Sequence, residues 1–108
     1  MSKRAAILLA PGFEEIEAIT VIDILRRAEI DALAVGVYGK TVAGSHRITI
    51  ISDVLISELN ASLDACILPG GIPGAPNLLK FPAVCSLVKR LNNDGALIAA
   101  ICAAPAVI

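Results

Sequence analysis

The chain alternates short, almost wholly apolar runs with segments whose apolar residues recur at helical spacing. The short runs span residues 4–10, 32–37, 65–68 and 97–101, and each has the length and composition of a strand buried on both faces. The helical pattern covers residues 15–28 and 82–92. The first of these helices opens with acidic residues and closes with Arg26 and Arg27, as the helix dipole favours. The second has Pro82 in its first turn and Gly95 just past its end.

Smaller elements complete the predicted order. Residues 41–43 and 48–51 flank a glycine-containing turn and predict a small hairpin or two short strands, and residues 57–60 predict a helical turn. Residues 69–76 form the strongest cluster of chain breakers, and a further helix is predicted from Cys102. Apolar strands that alternate with helices predict an α/β fold, in which helices cover both faces of a mostly parallel sheet through right-handed crossovers. Because such a sheet needs more elements than these, we expect residues 1–108 to be the N-terminal part of a single domain.

Composition narrows the class of protein. Apolar residues make up 56% of the chain, which excludes a disordered segment. The net charge is -1 and the basic residues occur as isolated pairs, so a nucleic-acid partner is not expected. The apolar stretch at residues 5–10 is too short for a signal peptide, and the longest apolar run, residues 96–108, is too short to cross a bilayer. We therefore expect a soluble cytoplasmic protein without a membrane partner.

Cysteine and histidine usage argues against a metal site. No CxxC motif occurs among the three cysteines, which are Cys66, Cys85 and Cys102. His46 is the single histidine. An odd number of widely spaced cysteines favours reduced thiols. Cys66, in the middle of an apolar strand, is expected to have a raised pKa and to be inert, while Cys85 has no activating neighbour. His46 lies in a polar turn, where a surface position is the common outcome, so no Cys–His pair is evident.

Cys102 occupies the most reactive predicted position, where an apolar strand turns directly into a helix. Ligands of open α/β sheets bind beyond the carboxyl ends of the strands, and the small neighbours Ala103 and Ala104 permit a sharp turn. The free N–H groups and partial positive charge of a helix start favour a nucleophilic thiolate. The alternative is a buried cysteine that acts as a small apolar residue.

Glu17 is the second candidate, because it follows the first strand on the same rim of the sheet as Cys102. A carboxyl group there is able to hydrogen-bond the sulfur, and once desolvated it would be protonated and act as an acid or base. The alternative is a solvated glutamate. Glu14 and Glu15 are predicted to be solvated partners of the helix start.

Gly70 and Gly71 provide the third part. Glycines after a strand allow close backbone approach, and with the N–H of Ala103 they would form an oxyanion hole beside Cys102. An ordinary turn is the alternative. No Gly-Lys-Ser/Thr follows, so the pattern is not a P-loop, and prolines interrupt any dinucleotide-binding fingerprint.

Three stretches together resemble the ThiJ/PfpI family, which includes the parkinsonism-associated protein deglycase and its bacterial relatives. They are LAPGFEEIE at residues 9–17, ILPGG at 67–71 and AAICAAP at 99–105. The resemblance implies a flavodoxin-like fold in which Cys102 is the oxidisable nucleophile and Glu17 is a protonated carboxyl bonded to it. It also implies that the backbone N–H groups of Gly71 and Ala103 line an anion pocket.

By the same resemblance, the expected function is that of a cysteine-dependent glyoxalase or deglycase without cofactor. The substrates would be methylglyoxal-type dicarbonyls or their early adducts, with a link to oxidative-stress defence, and the complete domain would be a homodimer. Three alternatives stay open: a redox sensor or chaperone through Cys102 oxidation, a PfpI-type peptidase or amidotransferase-like hydrolase, and an inactive remnant. Family members are nearly twice as long, and the histidine near the cysteine lies in the half absent here. The chain is therefore expected to be a fragment, a cleavage product, or one of two chains that together form the domain.

Overall fold

The computed structural model describes residues 3–59 and 62–101, which form an α/β fold around a five-stranded sheet. The strands are β1 (Arg4–Leu9), β2 (Asp31–Gly36), β3 (Thr41–Ala43), β4 (Thr49–Ile51), β5 (Val54–Leu55), β6 (Ala65–Leu68) and β7 (Leu97–Ala100). The helices are α1 (Glu15–Arg27), α2 (Gly74–Lys80) and α3 (Pro82–Asn93), with a short 3-10 helix at Ile56–Glu58. The main sheet has the order β5-β2-β1-β6-β7, and all of its neighbouring strands are parallel. Strands β3 and β4 form the predicted antiparallel hairpin.

Helices cover both faces of the sheet, as predicted. Side chains of β1 alternate between two apolar clusters, because successive residues of a strand point to opposite faces. Ile7 and Leu9 belong to the cluster that includes Ala18 of α1. Ala6 and Leu8 belong to the opposite cluster, which includes residues of α2 and α3. Every residue of β1 after Arg4 is at least 98% buried, which confirms a central strand enclosed on both sides.

The strand order places a switch point between β1 and β6. From β1 the chain proceeds outward through β2 to β5, and it then returns to the other side of β1 to form β6 and β7. Loops that leave neighbouring strands in opposite directions open a crevice at their carboxyl ends, where ligands of such folds bind. The predicted site residues Glu17, Gly70 and Gly71 follow β1 and β6, so the topology directs them to this rim.

Two elements were not predicted, and both depend on local detail. Helix α2 begins inside the cluster of chain breakers. Pro76 is tolerated in its first turn, because an N–H group at that position would have no partner within the helix. Backbone bonds from Ala75 to Gly71 and from Asn77 to Pro73, both 2.9 Å, hold its start. Strand β5 has only two residues, too few to form a pattern. The helix predicted from Cys102 lies outside the described residues.

None of the described helices combines the length and the apolar character that a membrane crossing requires.

Candidate functional site

Backbone hydrogen bonds join the loops at the carboxyl ends of β1 and β6. The Glu14 N–H donates to the carbonyl of Gly70 at 2.9 Å, and the Gly74 N–H donates to the carbonyl of Gly12 at 3.1 Å. On the other side of β6, the Ile101 N–H donates to the carbonyl of Leu68 at 3.0 Å, beyond the last paired residue of β7. The ends of three strands are therefore fixed beside one another at the switch point.

Glu17 reaches across this rim from α1 to the loop after β6. Its Oε1 accepts a hydrogen bond of 2.9 Å from the N–H of Gly70, and the residue is half-buried. The structure thus brings together two predicted site residues that lie 53 positions apart in sequence. It also gives the Gly70 N–H an acceptor within the protein, so that this group positions the Glu17 carboxyl.

Gly71 lies where the loops after β1 and β6 come into close backbone contact. Its φ is 108°, a conformation that residues with a Cβ rarely adopt. A Cβ added there would lie 2.5 Å from the backbone nitrogen of Glu14 and 2.6 Å from the carbonyl oxygen of Gly12. The two loops can approach this closely only because position 71 is glycine.

Cys102 and Ala103 lie outside the described residues, so their predicted roles remain predictions. The described chain reaches Ile101, the residue directly before Cys102. The hydrogen bond from the Ile101 N–H to the carbonyl of Leu68 places Ile101 beside the end of β6. Leu68 is two residues before Gly70.

The two other cysteines are free thiols. Cys66 is fully buried within β6, and burial raises its pKa to about 12, which confirms the expected rise. Cys85 is half-buried on α3.

Glu15 contradicts the prediction of a solvated helix start, because only 4% of its surface is exposed. Its Oε2 accepts hydrogen bonds from the backbone N–H groups of His46 at 2.8 Å and Ile48 at 3.1 Å. Burial raises the pKa of this carboxyl, but the hydrogen bonds from Ile48, from its own N–H and from His46 outweigh that effect and lower the pKa to about 2. Glu14 is the cap of the helix instead, since its Oε1 accepts from the N–H of Ile16 at 3.3 Å.

His46 does lie in a surface turn, as predicted, but its ring has a specific partner. Nδ1 lies 3.1 Å from Oε1 of Glu15, and 69% of the side chain is exposed. The hydroxyl of Ser45 completes the network, 3.4 Å from the same Glu15 oxygen and 3.1 Å from Nδ1. This pair was missed because its members lie 31 positions apart and meet only when the hairpin packs on α1.

Among the described residues, Glu14, Glu15 and His46 come nearest to a metal site, with one ligand atom from each inside a span of 4.8 Å. Both oxygens of Glu15 already accept hydrogen bonds, however. The arrangement therefore works as a hydrogen-bond network that anchors the hairpin to α1.

The model of the DJ-1/PfpI family matches residues 3–108. Protein dj-1beta of Drosophila melanogaster is 39% identical over the whole chain, and its crystal structure superposes with a TM-score of 0.97 over 99% of the chain. A DJ-1 superfamily protein from Salmonella typhimurium, 44% identical, has a TM-score of 0.95 over 98% of the chain. A 38% identical protein of Caenorhabditis elegans, matched over 98% of the chain, is named glutathione-independent glyoxalase DJR-1.2.

The chain spans only part of each of these proteins. It covers 59% of the Drosophila protein, 58% of the Salmonella structure and 58% of the C. elegans protein.

Proposed function

This chain belongs to the DJ-1/PfpI family, and from that premise we propose that it carries the thiol of a cofactor-independent glyoxalase. The observation that carries the proposal is the bond from the Gly70 N–H to Glu17 at the switch point of the sheet. It holds a carboxyl group on the rim where the strand before Cys102 ends. A similar protein that is named as a glyoxalase supports the same activity.

The proposed reaction starts when the Cys102 thiolate adds to the aldehyde carbon of a methylglyoxal-type dicarbonyl and forms a hemithioacetal. Glu17 shuttles protons between the substrate oxygens, and the Gly70 N–H fixes the position of its carboxyl. The N–H groups of Gly71 and Ala103 hold the oxygen that becomes negative. Isomerisation and hydrolysis then release a 2-hydroxy acid. Early adducts of dicarbonyls with amines would enter through the same attack, which would make the protein a deglycase in oxidative-stress defence.

The complete site needs more than the present chain in this proposal. Residues 1–108 form the N-terminal part of one domain, and the portion that the relatives carry beyond it is supplied by a second chain or a continuation. The intact mass of the purified folded protein under denaturing conditions checks this point. A second species of about 8–9 kDa is expected if a second chain completes the domain, and a single species of about 20 kDa if the chain continues. The 11.1 kDa species alone would contradict it.

Lactate formation from methylglyoxal, without glutathione or added metal, tests the activity. We expect the wild-type protein to form lactate and Cys102→Ser to lose it. Cys85→Ser is the matched control, because Cys85 lies within α3 and not in a loop that follows a strand, and its variant should keep full activity. A Cys102→Ser protein that still forms lactate would contradict the mechanism.

A redox sensor is the second candidate, because the same thiolate would oxidise to a sulfinate held by Glu17. The two functions separate in one experiment. A wild-type protein that forms no lactate, but whose Cys102 gains two oxygens in mild peroxide, would favour the sensor. A peptidase or amidotransferase would instead cleave amide substrates.

We also propose a cytoplasmic homodimer that meets through an isoleucine face on α1 and the hairpin. Ile16 and Ile51 are 75% and 74% exposed, while Ile48 and Ile19 are 52% and 42% exposed. Ile16 and Ile48 line one shallow groove between α1 and the hairpin, and Ile19 and Ile51 line another. Large apolar side chains grouped in this way mark an interaction surface.

A further inference from the structure

The two outer edges of the main sheet differ in how their backbone groups are satisfied. At one edge, β5 pairs only with the last residues of β2, and side chains take over beyond it. Both the N–H and the carbonyl of Ala34 are bonded to Asp53, each at 2.8 Å. Nη2 of Arg26 donates to the carbonyl of Ala32 at 2.9 Å and to Oδ2 of Asp53 at 2.8 Å. Charged side chains placed on an edge in this way prevent a further strand from pairing with it.

The opposite edge, formed by β7, has no protection of this kind. The N–H groups of Leu97 and Ile101 donate toward β6, at 2.9 and 3.0 Å. Because the N–H groups of successive residues in a strand point to opposite sides, those of Ile98 and Ala100 point away from β6. No strand among the described residues pairs with that side of β7. Neither a proline nor a charged side chain interrupts β7, so its outer edge is open to a further strand.

The composition of β7 does not match its exposure. All four of its residues are apolar, which is typical of a parallel strand buried on both faces. Leu97 is nevertheless 66% exposed, and the other three residues are only half-buried. Three of the four residues of the neighbouring β6 are buried. Strand β7 therefore has the sequence of an internal strand, although it lies at the edge of the described sheet.

A groove lies beside this edge, on the face of the sheet that carries α1. Helix α1 packs on β1 and β2, whereas α3 covers β6 and β7 from the opposite face. The groove has a volume of about 580 Å³ and is lined by Ala65, Ile67 and Leu97 of the sheet and by Val21 and Leu25 of α1. An apolar patch with charged residues at its margin, here residues 3, 4, 64 and 94, marks an interaction surface. The isoleucines of the proposed dimer face do not line this groove, so the two surfaces are separate.

We propose that the outer edge of β7 and this groove form one docking surface for the rest of the domain, which supplies a parallel strand and an apolar helix. The strand bonds to the outward backbone groups of Ile98 and Ala100, and the helix covers Ala65, Ile67 and Leu97. The relatives carry further chain on the same fold, which is the length that such a strand and helix require. The inference rests on the proposed completion of the domain and assigns the surface at which it occurs, for a continuation and a second chain alike.

Amide hydrogen exchange in the purified folded protein, followed by NMR, tests the added strand. Leu97 and Ile101 are internal controls, because their N–H groups are already bonded toward β6. We expect the amides of Ile98 and Ala100 to exchange within about tenfold of the control rates, since all four would open in the same cooperative unit. Exchange of Ile98 and Ala100 at the rate of an unfolded chain, while the controls stay protected, would overturn the proposal.

The variant Leu97→Gln tests the helix over the groove. At a position that is 66% exposed, a glutamine would remain solvated, but under a docked helix its amide would be buried without a partner. We therefore expect Leu97→Gln to lower the urea midpoint of unfolding. Leu79→Gln is the matched control, because it makes the same change at an exposed position of α2 and should keep the wild-type midpoint. A Leu97→Gln protein with the midpoint of Leu79→Gln would refute the covering helix.

Dilution identifies what occupies the edge. Protection of Ile98 and Ala100 that stays the same from concentrated to dilute protein is expected for the rest of the domain. Protection that disappears on dilution would assign the edge to a second copy of this chain and overturn the proposal. The activity is judged separately: an unprotected edge in a protein that forms lactate overturns only this inference, whereas a protected edge without lactate overturns only the glyoxalase proposal.

Discussion

Replacing Gly71 by alanine tests whether the closeness of the two site loops depends on this one glycine. An alanine there would have to keep a φ of 108°, and its Cβ would lie 2.5 Å from the backbone nitrogen of Glu14. Gly95 offers a matched control, since its φ is 80° but nothing lies within 4 Å of an added Cβ. Gly95→Ala therefore carries the conformational strain alone, about 1–2 kcal/mol. Gly71→Ala adds overpacking against backbone atoms, which costs about 1–3 kcal/mol more.

The free energies of unfolding of both variants are measured by urea denaturation, with the slope checked so that only stability is compared. Gly71→Ala should be the less stable of the two by at least about 1 kcal/mol. It should also lose lactate formation, because a shift of Glu14 disturbs the loop that holds Glu17. A Gly71→Ala protein as stable and as active as Gly95→Ala would refute the close packing of these loops.

Three other predictions follow from burial and charge. The pKa of Glu15 is about 2 when folded, against 4.5 ordinarily, so the unfolded chain binds more protons between these values. The stabilisation is present above pH 4.5 and is lost as the pH falls toward 2, and acid unfolding curves of Glu15→Gln should lack this component. Native alkylation at pH 8, followed by peptide mass mapping, should modify Cys85 before Cys66, whose pKa of about 12 keeps it a thiol; equal labelling would contradict this. Ile51→Lys should convert the proposed dimer to a monomer in light scattering, while Leu79→Lys, on the opposite helical layer, should not; a dimer that survives Ile51→Lys would place the interface elsewhere.

Most of the fold was predictable because its strands and long helices carry strong periodic patterns. The bounds of α1 and α3 differ from prediction by one residue each, and β6 agrees at both ends. Helix α2 escaped because prolines and glycines dominate residues 69–76, and only tertiary contacts decide that the helix begins at Gly74. The pairing of β5 with β2 was not predicted either, because a strand of two residues is too short to show an alternation of apolar and polar positions.

The site was predictable in part. Parallel strands end on a common rim, so the positions of Glu17 and Gly70 in the strand order were enough to expect them together. The burial of Glu15 was not expected, because a glutamate in the first turn of a helix is ordinarily solvated. Its burial results from the way the hairpin folds over α1, and no local pattern encodes that contact.

The two-way connection between Gly70 and α1 has a consequence for the order of folding. The carbonyl of Gly70 accepts from Glu14 and its N–H donates to Glu17, so one residue closes two links across more than 50 positions of chain. Contacts between distant residues must overcome the entropy of loop closure, and they form late when parallel strands join. We therefore expect α1 and the pairing of β1 with β2 to precede the assembly of the rim. A newly made chain would then hold secondary structure for a time in which the Glu17 carboxyl has not yet reached Gly70.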